Sequence, residues 1–111
     1  MKEQHQQLIG LVELLPANNS ARSCSQLNTI LTKYNNILDY INGYNAELKR
    51  ATSVYYTDIA SIRDNIQQSA YSTSQREKDE AYEKAMNELK TDIQALAMLI
   101  QPEDELVAVT V

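Results

Sequence analysis

Phenylalanine and tryptophan are absent from this chain, cysteine and histidine occur once each, and glycine and proline twice each. Without the two larger apolar rings, a core must come from Leu, Ile, Val, Met and Ala. The seven tyrosines are then expected at its edges, where each hydroxyl can find a partner. A lone Cys24 allows no internal disulfide and suits a reducing compartment, so the expected location is cytoplasmic. His5 stands between Gln4 and Gln6 and reads as a surface residue, because helical metal sites need Glu and His at repeated inward spacings that do not occur here. With only Gly10 and Gly43, no phosphate-cradling loop can be built. No metal and no cofactor are expected.

Long apolar runs are missing too. The stretch from Leu8 to Leu15 contains Glu13 and is far too short to span a bilayer, so no membrane association is expected. Clustered bases are equally scarce, Lys49 and Arg50 being the nearest approach to a patch. Direct nucleic-acid binding is therefore not expected either. The net charge of −5 is concentrated at one end: residues 1–50 carry +1, residues 51–75 carry −1 and residues 76–111 carry −5. A basic protein partner is electrostatically easier than an anionic one. Glu77, Asp79, Glu80 and Glu83 read as a solvated helix start, whereas paired-acid catalysis needs a carboxyl in a desolvated pocket. No catalytic residue is identified, and the chain reads as a non-enzyme.

What the sequence does contain is helix periodicity. Leu27, Tyr34, Ile41, Leu48, Tyr55 and Ile62 recur every seven residues, with Ile30, Ile37, Tyr44 and Ala51 three residues after the first four. This is a heptad seam, and it predicts helices laid against helices. A first helix is expected over residues 2–15, stopped by Pro16. A second starts at a Ser23/Gln26 capping box and runs over residues 24–70. A third starts at a Ser74/Glu77 box and covers residues 75–101, stopped by Pro102. The expected fold is all-α: an antiparallel, coiled-coil-like bundle of three helices with a long central one, in a single domain over residues 1–101. Two places could break the central helix, the turn-favouring pair Asn42–Gly43 and the weak helix formers Thr52 to Thr57, and the alternative fold is a four-helix bundle broken near residue 52. Residues 102–111 are expected to form a flexible or partner-bound tail.

Helix lengths supply the functional argument. A 47-residue central helix cannot be covered by a 27-residue third helix and a short first one, so the seam near Ile37, Ile41, Tyr44 and Leu48 should remain partly uncovered. Tyr40 and Tyr56 lie off the seam, Tyr55 on it, and tyrosine is frequent at interface hot spots. These seven residues form the expected interaction surface, and Glu77, Glu80 and Glu83 an acidic face. The chain thus reads as a helical protein–protein interaction module, of the adaptor, assembly or chaperone kind, that buries its seam by self-association or against a helical partner. A homo-oligomer is the simplest solution. The rival reading is a small acidic inhibitor or antagonist, of the kind mobile elements or toxin systems encode, occupying a basic site on its target.

Overall fold

A computed structural model describes residues 1–16 and 20–100 and is helical throughout, with no strand among the described residues. The elements are α1 (Lys2–Glu13), α2 (Ala21–Asn42), α3 (Ala46–Thr52), α4 (Tyr55–Tyr71) and α5 (Gln75–Leu99). The expected tail lies outside the described residues. No helix among them is long and apolar enough to cross a membrane.

Side-chain contacts set the directions of the four long helices. His5 meets Ala97 and Tyr82 meets Pro16, so α1 runs antiparallel to α5. Cys24 meets Ser69 and Asp39 meets Tyr56, so α2 runs antiparallel to α4. Ser61 faces Glu88 across α4 and α5, which are antiparallel as well. One apolar core unites them, drawing Leu8 and Leu11 from α1, Leu27, Leu31 and Leu38 from α2, Ile62 and Ile66 from α4, and Leu89, Ile93 and Leu96 from α5. His5 is half-buried rather than on the surface. Its Nδ1 lies 2.8 Å from the Ala97 carbonyl, which can only accept, so Nδ1 carries the proton and ties α1 to α5.

The expected continuous central helix is three helices. Gly43 closes α2 with φ −84°, right-handed backbone open to any residue, so glycine's conformational freedom does not cause the break. The cause is Asn45: extended at φ −158°, it accepts the Leu48 N–H with its side chain at 2.8 Å and starts α3 as a new N-cap. The second discontinuity, at the expected position, is gentler. Ser53 and Val54 keep right-handed dihedrals, and the amides of Tyr56 and Thr57 reach only three residues back, to Ser53 and Val54. Thr52 and Ser53 both turn their hydroxyls onto carbonyls four residues earlier, a contact that bends helices.

Thr52 is fully buried and joins two elements. Its Oγ1 donates to the Leu48 carbonyl at 2.7 Å and accepts from Asn42 Nδ2 at 3.1 Å, which fixes α3 against the end of α2. Thr52→Val keeps the shape and removes both bonds. A loss of about 1–2 kcal/mol in urea denaturation is expected; an unchanged midpoint would show that the corner does not depend on this hydroxyl.

The start of α2 also differs from expectation. Ser20, not the Ser23/Gln26 pair, is the N-cap, and it accepts the Ser23 N–H at 3.0 Å, so the helix begins three residues early. By contrast Ser74 caps α5 through the Glu77 N–H at 3.4 Å, as its spacing predicts. The first helix ends at Glu13, two residues short of the expected Leu15.

Candidate functional site

The break at residues 43–45 changes where the expected interaction residues lie. Because the chain turns there and bends again at residue 53, α4 folds back along α2 and covers the seam that a continuous helix would leave open. Ile37 is buried and Ile41 is 0% exposed, so neither offers surface to a partner. Leu48, Tyr55 and Tyr56 are half-buried. Tyr56 is not a spare interface side chain: its hydroxyl donates to Asp39 Oδ1 at 2.5 Å, and burial with this bond pushes its pKa up to about 12.

Tyr40 and Tyr44 remain at the surface. They are 54% and 60% exposed, Tyr40 in the last turn of α2 and Tyr44 just past its Gly43 cap, with ring centroids 6.4 Å apart and planes tilted by 40°. That distance is within the range of favourable aromatic pairs, so the two rings form one apolar facet. Its base is firm, since Tyr44 N–H donates to Ile41 O and the next residue is the Asn45 cap. Glu77, Glu80 and Glu83 are exposed on α5, and Arg76 Nε pairs with Glu80 at 3.0 Å. Cys24 is buried, its Sγ 3.3 Å from Ser69 Oγ, and no group of three or more His, Cys, Asp or Glu among the described residues is placed to hold a metal ion.

A second feature was not anticipated. Tyr34, expected at the core edge, is 0% exposed, and its hydroxyl has no partner. Asp92 of α5 is 7% exposed, with Oδ2 likewise unpartnered. Asp58 of α4 acts on this carboxyl as a neighbouring acid. Burial first, then Asp58, then Glu88, push the Asp92 pKa up to about 7. The phenols facing this pair respond in kind: burial first and Asp92 second raise the pKa of both Tyr34 and Tyr55. The arrangement can exchange one proton near neutrality where α2, α4 and α5 meet. A sequence signal existed: Asp92 lies three residues after Leu89 and four before Leu96, and Asp58 four before Ile62, so both acids sit on inward stripes.

The chain matches no protein-family model, no curated protein and no solved structure.

Proposed function

We propose that this all-α chain, an antiparallel bundle of four long helices joined through the short α3, is a non-enzymatic protein–protein interaction module whose contact facet is the Tyr40–Tyr44 pair. The observation that carries the reading is that pair itself: two large rings, more than half exposed, side by side where α2 gives way to α3. Tyrosine brings broad contact area with few rotors to freeze, so such a facet suits the centre of an interface. Self-association about a two-fold axis is the simplest occupant, pairing the facet with its own copy.

Light scattering after size-exclusion chromatography, over a wide concentration range, tests this. The parent chain is expected to shift from monomer to dimer mass as concentration rises. Tyr40→Ala/Tyr44→Ala should move that midpoint at least about tenfold, which corresponds to about 1.4 kcal/mol, with helix content intact. A mass that stays monomeric at every concentration would reject self-association, and an unmoved midpoint would reject the facet.

The acidic-antagonist reading keeps one observation in its favour, the exposure of Glu77, Glu80 and Glu83 together on α5. Binding to a basic target that collapses with added salt, and with Gln at these three positions, would favour it over the apolar facet.

A further inference from the structure

A groove of about 980 Å³ runs between α2 and α4 and ends at the first turn of α5, well away from the tyrosine facet. Its α2 wall runs from Ser20 through Asn28 to Thr32, about 18 Å at ~1.5 Å per residue. Its α4 wall runs from Arg63 through Gln67 to Tyr71, and α5 contributes Gln75 and Lys78. In a chain with fifteen acids and ten bases, no aspartate or glutamate lines this groove. Its walls are hydroxyls, amides, a few apolar groups and two cations. Among the described residues neither cation has an ion-pair partner, whereas Arg76, just outside the groove, holds Glu80.

The antiparallel register separates the two charges. Cys24 faces Ser69, so Thr32 lies toward Arg63 at one end, while Tyr71 and the α5 start bring Lys78 to the other. The eight residues from Arg63 to Tyr71 set a separation of about 12 Å along the helix axis. An extended chain rises about 3.3 Å per residue and returns to the same face every second residue. Side chains four residues apart therefore reach about 13 Å on one face, matching the two cations. Asn28 and Gln67 between them carry amides suited to the backbone of such a segment.

We infer that the groove binds an extended acidic polypeptide segment, with carboxylates four residues apart meeting Arg63 and Lys78. This occupant is favoured over single-stranded nucleic acid because polyphosphate carries a charge at every residue, for which two cations are too few. The inference names a second surface for the interaction module proposed above and shares no residue with the tyrosine facet, so either can fail while the other stands.

The test is fluorescence anisotropy of the full chain with a labelled, uncharged-background heptapeptide carrying Glu at positions 2 and 6. Comparison probes are the same peptide with Gln at both positions, with Glu at positions 2 and 3, and a seven-nucleotide oligothymidine. Saturable binding of the 2,6 peptide is expected, weakened at least tenfold by Arg63→Gln/Lys78→Gln and unaffected by Tyr40→Ala/Tyr44→Ala. Both cations are replaced by polar groups at the groove wall, so circular dichroism should report unchanged helix. Absence of saturable binding, equal binding by the Arg63/Lys78 variant, no preference for the 2,6 spacing, or tighter binding of the oligonucleotide would each overturn the inference.

Discussion

Asp92→Asn is expected to stabilise the protein at pH 8 and to do so less than half as much at pH 5. At pH 8 the parent must hold an ionised Asp92, 7% exposed, against Asp58 with Glu88 close by. A carboxamide has nearly the same shape and carries no charge at any pH. The sign follows from linkage: the Asp92 pKa rises from 3.8 unfolded to about 7 folded. The folded state therefore holds the extra proton, and stability from this group is complete below about pH 4 and lost as pH climbs through about 7. A shift of that size has an upper bound of about 4 kcal/mol at about 1.4 kcal/mol per unit. Because solvent reaches the half-exposed Asp58 side of the pair, about 1–3 kcal/mol is the expected gain. In a chain of this length that raises Tm by roughly 5–15 °C. Thermal unfolding of both proteins at pH 5, 6, 7 and 8 reads the effect directly, with the parent falling and the variant flat across the window. A variant that is less stable at pH 8, or that differs from the parent equally at pH 5 and 8, would show that folding does not raise the Asp92 pKa.

That pair also marks how far residue order alone could go. The α5 start was legible because its cap is local: Ser74 and Glu77 are three residues apart and bond within one turn. The stripe of Tyr82, Leu89, Ile93 and Leu96 was legible for the same reason, since helix periodicity fixes which side chains share a face, and all four are buried. The Asp58–Asp92 contact joins residues 34 positions apart on different helices, and nothing in either neighbourhood names the other. The long central helix failed differently. A seven-residue rhythm records spacing along the chain and is blind to a change of direction, so Tyr44, Leu48 and Tyr55 keep the phase of Ile41 while the backbone turns between them. The signal that decides the turn is the short side chain of Asn45, which captures the Leu48 amide that a continuing helix would have bonded to Tyr44 O. The seam was therefore correctly read as apolar and helical in α2, but α4 of the same chain occupies it.

This difference makes Ile41→Ala a decisive substitution. An uncovered seam would let Ile41 be truncated with loss of assembly and little loss of folding. In the structure Ile41 is 0% exposed, inside the core that α2 shares with α4 and α5. Truncation removes three carbons from a packed site that relaxes only in part, and the expected cost is about 2–5 kcal/mol. Against a total stability of about 5–15 kcal/mol for a domain of this kind, that is a large fraction of the whole. Tyr40 is its immediate neighbour in sequence and 54% exposed. Tyr40→Ala should cost less than about 1 kcal/mol, because exposed positions away from caps and buried networks change stability little. Urea denaturation of the two variants, followed by circular dichroism, separates them, and light scattering gives the complementary readout. Ile41→Ala should lower the midpoint without a specific effect on self-association under folding conditions, and Tyr40→Ala should do the reverse. A small stability cost at Ile41 together with a changed assembly mass would mean that α4 does not cover α2 in solution and that the seam is the surface through which this chain meets its partner.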